Sequence, residues 1–186
     1  MDFSEKPSRT VPFGPPSEDF SSYVSLIKAA DGLSLGQVCA ITGLEPSTVQ
    51  NWIKRGFVPR PVRKKYRERQ LARILMISCL RDCMRIDSIG ELLAAVNGDT
   101  EDESDDLISE DRLYCCLCAV LKAAGDDRSA QSISDAVIKA TEDVKTPDMK
   151  AKDRLRGALT VMAYAYISGK YKYLADSLFG KIKEDK

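Results

Sequence analysis

Apolar residues recur every three or four positions along most of this 186-residue chain, and this spacing constrains the fold more than any other feature. Residues three or four apart share one face of an α-helix, so each such segment predicts a helix with one buried side. The clearest stripe comprises Leu155, Leu159, Met162 and Tyr166. No segment has a convincing two-residue alternation typical of a half-buried strand. The sequence therefore predicts an all-α fold.

Changes in composition divide the chain into four parts. Residues 1–16 hold four of the eight prolines and little apolar periodicity, which predicts a flexible arm. Residues 17–98 contain several short predicted helices, and residues 99–108 form an acidic, hydrophilic linker. Residues 109–186 are predicted to form a helical C-terminal half, whose last helix opens at Thr146 and Pro147.

Polar residues in front of the periodic segments predict where helices begin. Ser17, Ser34 and Asp87 each precede such a segment and can accept a hydrogen bond from a free backbone N–H of the first turn. Gly43 separates the second predicted helix from the third, because glycine takes a positive φ without steric penalty.

The third predicted helix begins at Pro46 and ends after Arg55, where Gly56 follows. Val49, Trp52 and Ile53 have the spacing of its buried face. Its other faces carry Ser47, Thr48, Gln50, Asn51, Lys54 and Arg55.

Charge is distributed unevenly although the net charge is zero. Eleven basic and two acidic residues lie between Lys54 and Arg85, whereas eight acidic residues and no basic one lie between Asp99 and Asp111. The first region is expected to attract polyanions and the second to repel them. A solvated basic surface without a function is the alternative interpretation, and a solvated linker is the simpler reading of the acidic stretch.

Several classes of protein are disfavoured. The chain has no histidine, so histidine-based acid–base catalysis and metal ligation are excluded, and we predict no catalytic residue, metal site or cofactor. No segment resembles a signal peptide or a membrane span, which predicts a cytoplasmic protein without membrane contact. The six cysteines lie in apolar helical segments and are expected to be reduced and to act mainly as small hydrophobic residues.

The order of the predicted elements resembles the MerR-like winged helix-turn-helix regulators. The segment "VCAITGLEPSTVQNWIKRGFVPRP" is similar to that family's apolar first helix, glycine turn and glycine-aliphatic-aliphatic-proline ending, and "YRERQLARILMISCLRDCMRIDSIGELL" is similar to its following long and short helices. More narrowly, about Tyr23 to Ile182 resembles an uncharacterised bacterial family, the domain of unknown function numbered eighteen thirty-six. The carrying residues there are "NW", "RKKY" and "ALTVMAYAYISGKYKYLADSL".

The MerR resemblance implies a sequence-specific regulator of transcription that binds double-stranded DNA. Its recognition helix would enter the major groove, and a wing between Val58 and Tyr66 would touch the backbone. The amides of Gln50 and Asn51 could pair with an adenine edge, while basic side chains neutralise phosphates. The residues expected to contact DNA are Ser47, Thr48, Gln50, Asn51, Lys54, Arg55, Arg63, Lys64, Lys65 and Arg67.

The C-terminal half is expected to serve as a homodimer interface or to bind a small-molecule or protein effector. A second interpretation makes the whole protein a helical adaptor. In that case the helix pair around Gly43 has only a structural role, and the apolar stripe of the last helix binds another protein.

Overall fold

The computed structural model of the protein describes residues 20–125 and 129–184. Within these residues the chain forms eight helices: α1 Phe20–Ala29, α2 Leu35–Thr42, α3 Pro46–Lys54, α4 Glu68–Leu80, α5 Ile86–Asn97, α6 Glu110–Ala124, α7 Ala130–Ala140 and α8 Met149–Glu184. Pairing of the β type is limited, in this part of the chain, to two isolated bridges. The predicted all-α class is confirmed. The predicted arm, residues 1–16, and the Ser17 cap lie outside the described residues.

The second and third helices begin and end at the residues that the sequence marks. The Ser34 hydroxyl accepts a hydrogen bond from the Gln37 amide at 3.3 Å, and the Gln37 side chain accepts one from the Ser34 amide at 2.8 Å. This reciprocal pair satisfies two amides that the first turn of α2 leaves free. Gly43 ends α2 with φ of 66°, and Pro46 occupies the first turn of α3, both as predicted.

Two predicted helix starts are wrong. Helix α5 begins at Ile86 with Arg85 at the cap position, so Asp87 lies in the first turn and does not cap the helix. A carboxylate there is still stabilised by the positive end of the helix dipole. Helix α8 begins at Met149, after the Thr146 and Pro147 start that we expected. Asp148 provides the cap, since its side chain accepts a hydrogen bond from the Ala151 amide at 2.7 Å.

Helix α4 is the centre of the fold. Nine of its 13 residues are buried, so this helix is covered on nearly all sides. It packs against α1, α2 and α5 and also against α6 and α8 of the C-terminal half. One continuous hydrophobic core therefore includes residues from both predicted halves. The predicted domain boundaries remain a prediction.

A buried ion pair ties α4 to α6. Arg73 of α4 is 1% exposed and its guanidinium donates to the carboxylate of Glu110, which is completely buried. The same guanidinium donates to the Phe57 carbonyl at 2.7 Å and to the Thr100 hydroxyl at 3.2 Å. Charges can be buried in this way because the partner charge and the hydrogen bonds offset the loss of water.

The acidic stretch folds back onto the basic region. Arg69 donates to the Glu103 carboxylate at 2.9 Å, and the Arg60 amide donates to the Glu101 side chain at 3.2 Å. The stretch also folds upon itself, because the Asp99 amide donates to Asp105 at 3.0 Å. Its side chains from residue 101 to residue 105 remain exposed. The stretch is thus solvated on its outer side, but on its inner side it contacts the N-terminal half.

Helix α8 divides into a packed and an exposed segment. The predicted stripe of Leu155, Leu159, Met162 and Tyr166 is buried, which confirms that it packs on the core. Beyond Ile167 the helix continues for nearly five more turns, and nearly all of its described side chains there are exposed. None of the helices in the described residues is both long and apolar enough to span a membrane.

We expect the Arg73–Glu110 pair to be the most sensitive polar contact in the fold. Arg73→Met leaves a buried carboxylate without its cation, so the free energy of unfolding should fall by about 3–5 kcal/mol. The double change Arg73→Met with Glu110→Leu removes both charges and should cost less than the sum of the two single changes. Urea denaturation followed by circular dichroism measures all three variants. Arg112→Ala is the matched control, since its pair with Asp143 is largely exposed and should contribute about 1 kcal/mol or less.

Asp106 makes stability depend on pH. Burial raises the pKa of its carboxyl from 3.8 to about 6 despite nearby Arg69, and its Oδ1 atom has no hydrogen-bond partner among the described residues. The folded state therefore binds this proton more tightly than the unfolded state, and the contribution of the group to stability falls as the pH rises from 3.8 to about 6.

Asp106→Asn should therefore stabilise the protein at pH 7, by up to about 1 kcal/mol once solvent screening is included. The gain should nearly disappear at pH 3.5, where the wild-type carboxyl is neutral in the folded state and mostly neutral in the unfolded state. Urea denaturation at the two pH values measures this difference, and an equal gain at both would contradict the assignment.

Candidate functional site

Four of the predicted contact residues share one exposed face of α3. Ser47, Gln50, Asn51 and Lys54 have the spacing i, i+3, i+4 and i+7, and all four are exposed. The opposite face is in the core, where Val49 and Trp52 are buried and Ile53 is half-buried, as predicted. Thr48 is half-buried at the edge of the exposed face. The helix therefore presents a polar surface with two amides and one ammonium group.

Three of the predicted basic residues are engaged within the protein. Arg55 donates to Asp87 of α5 at 2.9 Å, and its guanidinium lies 4.6 Å from the centre of the Phe57 ring. Arg67 donates to Asp31 at 2.6 Å. These two ion pairs are partly exposed, so a polyanion could compete for the arginines.

Lys65 has a structural role. Its ammonium group donates to the carbonyls of Ala30, at 3.4 Å, and Gly32, at 3.2 Å, which follow the last turn of α1. A cation at this position is stabilised by the carbonyls that the end of a helix leaves without partners. Lys65 is thus held by α1 and is half-buried, unlike its two exposed neighbours Arg63 and Lys64.

The predicted wing is a very small hairpin. Val62 and Lys65 form an antiparallel bridge, and the Lys65 amide donates to the Val62 carbonyl at 2.9 Å. Arg63 and Lys64 form the two-residue loop between them, with φ of 50° and 63°. Positive φ at both positions is the mark of a type I′ turn, where asparagine and glycine are preferred. Two long cationic side chains in this conformation are strained.

Lys54, Arg63 and Lys64 differ from the other predicted cations. All three are exposed, and none has an ion pair or hydrogen bond through its side chain within the described part of the chain. They are therefore available to an external anion. The structure thus separates the predicted basic set into three available cations and three cations that already have partners.

Sequence reasoning did not assign a second basic cluster, which lies at the end of α3. A cleft of about 460 Å³ there is lined by three arginines, Arg55, Arg81 and Arg85, and one acidic residue, Asp82, together with Trp52 and residues 83, 84 and 86. The Arg81 guanidinium lies 5.7 Å from the centre of the Trp52 ring. Both Arg81 and Arg85 belong to the basic region seen in the sequence, and their spacing of four residues was a usable signal. Their approach to α3 depends on how the loop from α4 to α5 folds.

The cysteines are free thiols, as predicted, and most of them are shielded. Burial raises the pKa of Cys79 and of Cys118 to about 12, and that of Cys116 to about 11. Cys83 is the exposed one among these six residues. No group of three or more potential metal ligands occurs in the residues that the structure describes.

A thiol reagent should therefore distinguish Cys83 from the other cysteines. The thiolate is the reactive species, so thiols with a raised pKa and restricted access react slowly. With Ellman's reagent at pH 8, we expect one fast equivalent per folded chain and six in denaturant. Cys83→Ser should abolish the fast phase. Two or more fast equivalents in the wild type would contradict this assignment.

Comparisons with known proteins give a match to the N-terminal half and the beginning of α6. The family model described as "Domain of unknown function (DUF1836)" matches residues 32–116. The uncharacterized protein YkrK of Bacillus subtilis (strain 168) is 30% identical over 95 residues, which cover 49% of this chain and 41% of that protein. The chain thus spans about two fifths of the length of this curated relative. No solved structure matches the chain.

These findings confirm part of the expected resemblance. The similarity to the uncharacterised family holds for residues 32–116, which include α2, the hairpin and all of α3, α4 and α5. Helix α8, which we also expected to be similar, lies outside the matched range. The resemblance to MerR-like regulators has no support from these comparisons and stays a prediction. Residues 32–116 are similar to a family whose function has not been assigned.

Proposed function

We propose that this protein binds double-stranded DNA with sequence preference and acts as a regulator of transcription. The exposed face of α3 would read base edges in the major groove, and the hairpin would contact the phosphate backbone. In this proposal α2 and α3 act as a MerR-like helix-turn-helix pair. The protein would be cytoplasmic.

The polar face of α3 has the chemistry that base readout needs. Gln50 and Asn51 are exposed on the side opposite the core, and each amide carries a donor and an acceptor. Such an amide can pair in two places with an adenine edge. Lys54, one turn further along the same face, can bind a guanine edge or a phosphate.

The hairpin tip is the observation that carries the proposal. Arg63 and Lys64 occupy a loop with positive φ at both positions, although this backbone favours asparagine and glycine. Backbone strain of this kind is concentrated at active sites and ligand-binding sites. Neither side chain has a partner among the described residues, so no side-chain contact in this part of the chain offsets the strain. Two cations at the tip of a rigid turn suit binding to phosphates.

The basic cleft beside α3 supplies further positive charge. Arg55, Arg81 and Arg85 line it at the end of the proposed recognition helix. The ion pair between Arg55 and Asp87 is partly exposed, so Arg55 can exchange its carboxylate partner for a phosphate with little loss. We therefore add Arg81 and Arg85 to the proposed contact residues.

The test uses the hairpin, because its strain and its charge predict opposite effects. Arg63→Asn with Lys64→Gly places the preferred residues in the turn, so the free energy of unfolding should rise by about 1 kcal/mol. The same variant should bind duplex DNA more weakly. The slope of log affinity against log salt should also become shallower by about 1–2, because up to two phosphate contacts are lost. Urea denaturation and fluorescence anisotropy at two salt concentrations measure the two effects.

The duplex for this test comes from selection on a random pool with the wild-type protein. Lys139→Ala with Lys150→Ala removes two exposed charges from the C-terminal half and serves as the charge-matched control, which should keep wild-type affinity. Gln50→Ala and Asn51→Ala should relax the preference for the selected sequence by about 1–3 kcal/mol at one base pair. If the wild type enriches no sequence and shows no salt-dependent affinity, the proposal is wrong.

A helical adaptor is the second candidate function, and a separate observation favours it. The last turns of α8 expose Tyr171, Leu178, Phe179 and Ile182, each by more than half. A helix with exposed apolar residues can bind in the groove of another protein. In that case the α3 face would be a solvated surface, and the changes at Gln50 and Asn51 would have no effect on DNA.

A further inference from the structure

The second half of α8 carries the largest group of exposed apolar side chains in the described residues. Tyr171, Leu174, Leu178, Phe179 and Ile182 are between 45% and 61% exposed. Single exposed apolar residues are common on protein surfaces, but a group of this size on one helix is typical of an interaction surface. The packed half of the same helix adds Val161 and Tyr164, at 44% and 39%.

The exposed residues follow a heptad spacing. Starting at Val161 and moving alternately by three and four residues gives one continuous line along α8. We call this line the seam, and its members are Val161, Tyr164, Ser168, Tyr171, Ala175, Leu178 and Ile182. All seven are exposed. The seam extends over 22 residues, or about 33 Å of helix.

The seam faces away from the body of the protein. Leu155, Leu159 and Met162, which pack on the core, lie on roughly the opposite side of α8 at 100° per residue. The seam is therefore not an extension of the core stripe. An alternation of three and four residues repeats every 3.5 residues on average, and this period suits packing against another helix that supercoils with α8.

The alternation of side-chain size shows what kind of helix fits. Small residues, Ser168 and Ala175, lie between large ones, Tyr164, Tyr171 and Leu178. If a second α8 runs antiparallel and the two-fold axis passes beside residue 173, Tyr171 faces Ala175 of the second copy. Leu178 then faces Ser168, and Tyr164 faces Ile182. Two of the three pairs thus join a large residue to a small one, as close packing favours, and the third joins two apolar residues near the ends of the seam.

We propose that this protein forms an antiparallel homodimer in which the seams of two α8 helices pack together in this register. The same surface on both copies is self-complementary, as a two-fold interface must be. The seven large apolar residues on and beside the seam each expose roughly 100 Å² of surface, so two copies would bury up to about 1,400 Å², above the ~1,000 Å² expected of a specific interface. The inference goes beyond DNA binding and does not depend on it.

The test measures the mass of the full chain without DNA by sedimentation equilibrium between 1 and 100 μM. We expect a dimer for the wild type. Leu178→Glu places a charge in the seam and should weaken dimerisation at least 100-fold. Leu178 is 61% exposed, so this change should leave the helical circular dichroism of the folded chain unchanged. Ser177→Glu adds the same charge one residue away, outside the seam, and should remain dimeric.

The orientation has its own readout. In the antiparallel register Lys172 lies beside the same residue of the second copy, so a mixture of wild type and Lys172→Glu should favour the heterodimer. A parallel pair would bring Lys172 near Ile167 and show no such preference, which would overturn the register.

A wild-type chain that stays monomeric at 100 μM, or a Leu178→Glu variant that dimerises normally, would overturn the homodimer. Binding of a monomeric wild type to vesicles of anionic phospholipid, lost in Leu178→Glu, would assign the seam to a membrane surface instead. Because DNA is absent from these measurements, their failure leaves the proposed DNA binding unaffected.

Discussion

The buried pair of Arg73 and Glu110 is the contact on which the relative positions of several segments depend. It joins the central helix α4 to α6, and the same guanidinium holds the carbonyl of Phe57, just after α3, and the hydroxyl of Thr100 in the acidic stretch. An uncompensated charge at this depth would cost several kcal/mol. Four segments far apart in the sequence are therefore fixed relative to one another by one side chain. The position of α3 and of the acidic stretch depends on this contact.

Many of the basic side chains in the region from Lys54 to Arg85 have partners within the folded protein. Arg69 and Arg73 bind acidic side chains from the stretch that follows α5, Arg67 binds Asp31, and Lys65 binds carbonyls after α1. A long run of positive charge is thus reduced to a smaller set that remains available, chiefly Lys54 and the hairpin residues Arg63 and Lys64. The acidic stretch neutralises the inner side of the basic region, and the strained turn keeps two cations on its outer side. This division gives the proposed DNA contact a defined location.

Helix α8 connects the hydrophobic core to the proposed dimer interface. Its first half is part of the core that α4 organises, and its second half carries most of the exposed seam. Because the helix is continuous over 36 residues, the orientation of the seam is set by the packing of Leu155, Leu159 and Met162. A dimer built on the seam would hold two α3 faces at a fixed separation, which is what binding to a two-fold symmetric DNA site would need.

The sequence by itself determined the helices and most of their ends, because periodicity, caps and turns are local properties. Ser34, Gly43 and Pro46 fix α2 and α3 through contacts within a few residues, and the stripe from Leu155 to Tyr166 identifies a packed helix by its spacing alone. The polar face of α3 could be predicted for the same reason, since the buried positions of Val49 and Trp52 leave Gln50 and Asn51 outside.

Only the tertiary structure decided which charges are available. Arg73 has the same chemistry as Arg63, yet one is buried against Glu110 and the other lies at the tip of a turn. The grouping of Arg81 and Arg85 with Arg55, and the paired state of Arg67, likewise depend on which segments meet. The packing of the whole core around α4 determines which charged side chains distant in sequence form pairs, and no local sequence pattern predicts these pairs. The spacing of apolar residues predicts that a helix has a packed face, but only the folded core shows that α8 also has an exposed apolar line on the opposite side.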